Sequence, residues 1–88
     1  MDDVGGGTMK TREAVVMRVL ELCKEKKITV NGLATYAGLA PSTVKSIIYG
    51  ASKNPGIVTI KIICDAFGIT LAEFFDTDLF NTLEQEIE

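Results

Sequence analysis

The sequence predicts an all-α fold, one small domain of five helices with a short C-terminal helical extension. Three observations carry this reading. Apolar residues recur at i, i+3, i+4 and i+7 in successive segments, the signature of a helix with one buried face. Glycine or proline punctuates those segments at Gly38, Pro41, Gly50 and Gly68, where helices stop or start. The chain has 88 residues, 47% of them hydrophobic and 24% charged. A core of that size buries roughly 60–65% of the surface the unfolded chain exposes, which is marginal but sufficient.

Residues 1–8 read as a flexible lead, because three consecutive glycines lose too much backbone entropy in a helix. Met9 is a candidate second start, which would make residues 1–8 foreign to the domain. The domain proper is placed at 9–76 and the extension at 77–88. The first helix begins at Thr11, with Val16, Val19, Leu20 and Cys23 as its stripe and Val15 and Leu22 widening it. Lys24, Lys26 and Lys27 suit its negative C-terminal end. Thr29 can cap the second helix, which turns Leu33, Ala34 and Ala37 inward and ends at Gly38. Pro41 opens the third helix, where its missing N–H costs nothing, and Val44, Ile47 and Ile48 face inward before Gly50.

A turn-rich loop, 51–56, leads to a fourth helix from about Ile57 to Phe67. Its β-branched start also fits a strand, but Ile60, Ile63, Cys64 and Phe67 continue a helical stripe and Gly68 closes it. Thr70-Leu71-Ala72-Glu73 matches a capping box, opening a fifth helix through Phe75. Leu79, Phe80, Leu83 and Ile87 then stand at helical spacing and predict the extension.

Charge is segregated. The net charge is −3, yet residues 26–64 carry five lysines and no acid, while residues 65–88 carry seven acids and no base. The alternatives are an anionic partner at the middle segment or chance placement on a solvated surface. Histidine is absent, which removes the commonest general base and metal ligand. Two cysteines without histidine cannot complete a four-ligand zinc site, and no metal or cofactor is expected. Cys23 and Cys64 lie on apolar stripes and read as buried hydrophobes in a reducing compartment, with a disulfide or reactive thiol as the alternative. No apolar run approaches the ~18 residues of a membrane span, and no signal peptide opens the chain. With no phosphate-binding glycine loop and no nucleophile beside a base, an enzyme is not expected.

Between Val30 and Tyr49 the spacing is informative. Two steeply crossing helices need a small residue at their approach, a residue tolerant of positive φ at the corner, and apolar inner positions. Ala34, Gly38 and the set Leu33, Leu39, Val44 and Ile47 supply these, which is a helix-turn-helix pattern.

Residues 10–75 resemble the lambda-repressor-like, XRE/Cro-type helix-turn-helix family. The residues carrying the resemblance are Ile28-Thr29, Leu33-Ala34, Ala37-Gly38-Leu39, Ser42-Thr43-Val44, Gly50, Pro55 and the run from Ala66 to Leu71. The resemblance implies a small cytoplasmic transcriptional regulator that reads double-stranded DNA with its third helix, about 41–49, in the major groove. It places Pro41, Ser42, Thr43, Lys45 and Ser46 at the bases or phosphates. It places Thr29 at a phosphate through the second helix's N-terminus, and Lys53 and Asn54 in a backbone-contacting loop. The three hydroxyls also fit plain helix solubility and capping. Tyr36 and Tyr49 fit either phosphate donation or rim packing.

The chain departs from the family at Val30, where a glutamine is common, and at Cys23 and Ile48, where an arginine–glutamate pair is common. Ala40 replaces a capping hydroxyl, forfeiting ~1 kcal/mol. Gly32 inside the second helix costs about 1 kcal/mol against alanine. The apolar C-terminal residues Phe74, Phe75, Leu79, Phe80, Leu83 and Ile87 suggest a homodimer contact, or else a helix folded back on its own domain. The competing functional reading is a protein-interaction module of the same fold, antitoxin-like or an adaptor, with little DNA affinity.

Overall fold

The computed structural model describes residues 9–50 and 54–87. The expected flexible lead, 1–8, and Lys53 lie outside the described residues. Five α-helices follow in chain order: α1 (Thr11–Lys26), α2 (Val30–Ala37), α3 (Pro41–Tyr49), α4 (Ile57–Phe67) and α5 (Leu71–Phe75). One 3-10 turn, Asp78–Phe80, comes after them, and no strand occurs among the described residues.

The predicted boundaries hold because each is fixed by a local signal. Thr29 Oγ1 accepts from Gly32 N–H at 2.9 Å, which starts α2. Gly38, Gly50 and Gly68 end α2, α3 and α4 in the left-handed region, at φ 68°, 97° and 74°. Thr70 and Glu73 form the expected reciprocal cap of α5, at 3.0 and 2.8 Å. Ala40 contributes no side-chain cap to α3, as its methyl dictates. The β-branched start of α4 is helical.

One core joins the helices. Leu33, Val19, Ile63, Cys64 and Phe74 are essentially inaccessible, with Val44 and Ile47 of α3 buried beside them. α2 and α3 pack on each other, and α2 also packs on α4. Buried apolar surface contributes ~25 cal/mol per Å², so this cluster supplies most of the favourable folding free energy. Both cysteines are free thiols in that core, and burial pushes each thiol up from its ordinary pKa.

Two expectations need correction. The buried stripe of α1 is rotated: Val15, Arg18, Val19 and Leu22 face inward, whereas Val16 is half-buried and Leu20 is exposed. Arg18 lies on that inward face, and its guanidinium reaches α5. Its Nε donates to Phe74 O at 2.7 Å and its Nη2 to Glu73 O at 3.0 Å, supplying partners to carbonyls at the end of α5.

The C-terminal extension is the second correction. Only Asp78–Phe80 is helical, as a 3-10 turn, and residues 81–87 are not helical. The tail finds a backbone partner just ahead of α1 instead, with Glu84 N–H donating to Met9 O at 3.0 Å. The aromatic residues expected on a free face stack on one another. Phe74 and Phe80 each lie against Phe75 with centroids 4.9 Å away. The fold-back alternative therefore accounts for Phe74, Phe75 and Phe80.

Candidate nucleic-acid interface

α3 is a nine-residue helix with two faces. Val44 and Ile47 lock the inner face into the core, which fixes the rotation of the helix and hence the direction of every outer side chain. Pro41, Ser42, Lys45 and Tyr49 are exposed. Ser42, Lys45 and Tyr49, at i, i+3 and i+7, form a continuous outer stripe. Thr43 and Ser46 are half-buried and line a cleft of about 310 Å³ against Pro55, Gly56 and Thr59. The geometry thus separates the predicted hydroxyls. Ser42 faces solvent, while Thr43 and Ser46 look toward the start of α4.

Thr29 lies elsewhere, at the start of α2, where its oxygen caps the helix. The N–H groups of the first helical turn, at Val30 and Asn31, face out of the helix end, as in any α-helix. That end is partially positive and suits an anion. Asn54 is exposed in the loop after α3.

The electrostatics favour an anion on this side. Neither α2 nor α3 contains an acid, and Lys45 projects from the middle of α3. Lys61 on α4 is paired with Asp65 and so offers less charge than the sequence count implies. The tyrosines behave differently from each other. The Tyr36 ring packs with its centroid 5.6 Å from that of Phe67, whereas Tyr49 is 71% exposed.

One supporting residue escaped the sequence reading. Arg12, in the first turn of α1, reaches across to α3, where its Nη2 donates to Ile47 O at 3.2 Å. A cation at the C-terminal end of a helix satisfies a carbonyl and complements the dipole, so Arg12 pins α3 in place. The two residues are 35 positions apart, and nothing local marks the pairing. Among the described residues no cluster of three acidic, cysteine or histidine side chains could hold a metal.

A short helix with a polar outer stripe, crossing a capped helix through a glycine corner, defines a helix-turn-helix DNA-binding domain. A Cro/C1-type HTH DNA-binding domain family model matches residues 18–78, and the chain belongs to that family. The crystal structure of the prophage Lp1 protein 11 is similar to this chain at 38% identity. Its TM-score is 0.74, and the match covers 84% of this chain and 97% of that one. No curated protein matches. No helix among the described residues is long and apolar enough to cross a membrane.

Proposed function

We propose that this domain binds duplex DNA sequence-specifically, with α3 in the major groove, and acts as a small cytoplasmic transcriptional regulator. The observation that carries the reading is the outer stripe of α3, polar and free of acids, held rigidly by Val44 and Ile47. In this arrangement Ser42 and Lys45 meet base edges or phosphates, and Thr43 and Ser46 act from the cleft edge. The N-terminal end of α2 at Thr29 holds a backbone phosphate, and Lys53 and Asn54 hold another. Arginine is absent from 26–64, so bidentate guanine reading has no residue to perform it, and discrimination falls to hydroxyls and apolar contacts.

Two copies related by a two-fold axis would set their α3 helices ~34 Å apart, matching a palindromic site. Of the C-terminal apolar face, Leu79 and Leu83 (both half-buried) and Ile87 (80% exposed) remain for that contact.

The competing reading, a protein-interaction module, draws on exposed Ile57, Val58 and Ile87. Substituting both Lys45→Glu and Lys53→Glu separates the two. DNA binding, measured by fluorescence anisotropy on duplexes selected from a random pool, should collapse while the fold persists. Equal affinity of the double variant for DNA would remove the major-groove reading.

A further inference from the structure

The acidic C-terminal tail does not trail away from the domain. Besides the Glu84 N–H bond to Met9, its carboxylates reach the start of α1. Glu86 Oε2 accepts from Thr11 N–H at 3.2 Å. Glu84 Oε1 lies 3.8 Å from Lys10 Nζ. Thr11 and Glu86 stand 75 positions apart, so their bond reflects tertiary placement and not a local turn.

The place where the tail docks matters more than the bonds. Glu86, Lys10, Arg12 and Asn54 are among the residues lining one groove of about 600 Å³. Part of its lining is Lys10, Thr11 and Arg12, at the start of α1. Asn54 and Pro55, in the loop that leads away from α3, line the same groove. Glu86 therefore shares a groove with the loop proposed to touch the phosphate backbone, and the tail covers the N–H of Thr11 and partly neutralises Lys10. A carboxylate within a Debye length of ~8 Å repels an approaching phosphate.

We infer that the C-terminal tail is an autoinhibitory latch, which keeps the first turn of α1 from extending the DNA-backbone footprint. The inference rests on the DNA-binding reading. The latch is built to open. The Lys10–Glu84 pair is half-exposed on both sides, and exposed pairs of this geometry hold weakly. Its bonds, two through carboxylates and one through the Glu84 N–H, all join residues outside the core, so the tail can leave without opening it. Release uncovers Lys10 and the Thr11 N–H on the same side as Asn54, and DNA then meets one further cation on each copy.

The test is the double variant Glu84→Gln/Glu86→Gln in the full chain, with Glu21→Gln/Glu25→Gln, near the far end of α1, as a control that removes two negative charges away from the groove. Binding to a random-sequence duplex is measured from about 0.05 to about 0.2 M salt, a range over which phosphate-driven affinity changes steeply. The latch variant should bind about 3- to 10-fold more tightly, with a log–log salt slope steeper by ~0.9 for every additional phosphate that is neutralised. The control should change affinity less than about 2-fold, because charges distant from the phosphates are screened. Amide exchange at Thr11 should speed up in the latch variant alone. Equal tightening in both variants would mean that only overall charge matters and would overturn the latch. Unchanged affinity and slope, with wild type still binding, would also overturn it while leaving the DNA reading intact. If neither wild type nor the latch variant binds, the DNA reading falls and the latch falls with it.

Discussion

Replacing Arg18 by methionine removes a buried cation while keeping an unbranched side chain of similar reach. Arg18 is only 9% exposed, and its guanidinium donates to two carbonyls of α5, Phe74 O at 2.7 Å and Glu73 O at 3.0 Å. It also lies 5.9 Å from the centroid of the buried Phe74 ring and pairs with Glu21 at the surface. Two charge-assisted bonds are worth ~1.5 kcal/mol each, and their loss leaves the end of α5 without those donors. Part of that loss is returned, because the variant no longer holds a charge away from water. The net expectation for Arg18→Met is a destabilisation of about 2–3 kcal/mol. At ~4–8 °C per kcal/mol for a domain of this size, Tm falls by roughly 10–20 °C in calorimetry or thermal circular dichroism. Glu21→Ala, which touches only the exposed end of the same guanidinium, should cost less than about 1 kcal/mol. A fall below about 4 °C for Arg18→Met would refute the claim that Arg18 fastens α5 to α1.

The left-handed turn after α1 is made by Lys27 at φ 58°, so Lys27→Gly should stabilise by about 0.5–1 kcal/mol in urea unfolding. Thr29→Ala should cost about 1 kcal/mol by removing the cap of α2. Gly32→Ala should gain well under its ~1 kcal/mol propensity benefit, because the new methyl would meet Thr29 Oγ1 at 3.2 Å. Cys23 and Cys64 should react with a thiol reagent at neutral pH only on unfolding, since burial raises both thiols and suppresses the thiolate. The Thr11 N–H holds the Glu86 carboxyl below the usual carboxylate range. A depressed folded pKa means that the tail contact is fully present above the unfolded value and disappears as pH falls through the folded one. Thr11 amide protection should be flat above about pH 5.5 and decline below about pH 4.

The helices were legible because their ends are written locally. Thr29, Gly38, Pro41, Gly50, Gly68 and Thr70 each terminate or start a helix through their own backbone or hydroxyl, within three residues of the effect. The α3 stripe followed, since the inward residues Val44 and Ile47 fix which residues face out. Contacts between distant segments left no such mark. Arg12 serves α3 and Arg18 serves α5 across 35 and 56 positions, and no local spacing marks either pairing. The tail misled for a related reason. Leu79, Phe80, Leu83 and Ile87 have helical spacing, but spacing describes where side chains would go, not where the backbone finds its partners. Here Glu84 N–H bonds Met9, and the aromatic cluster takes up Phe80 in a single 3-10 turn. The charge count misled in the same way at Lys61, whose partner Asp65 lies just past the end of the acid-free segment.

DNA binding by the α2–α3 face is tested most directly by titrating the full chain into duplex DNA across a range of salt concentrations. Two lysine–phosphate pairings per copy, at Lys45 and Lys53, predict a log–log slope of roughly −4 for a pair of copies on one site. Lys45→Glu should make that slope shallower by ~2, because each copy then neutralises one phosphate fewer. An affinity that stays constant as salt rises, or a slope indifferent to Lys45, would contradict the account.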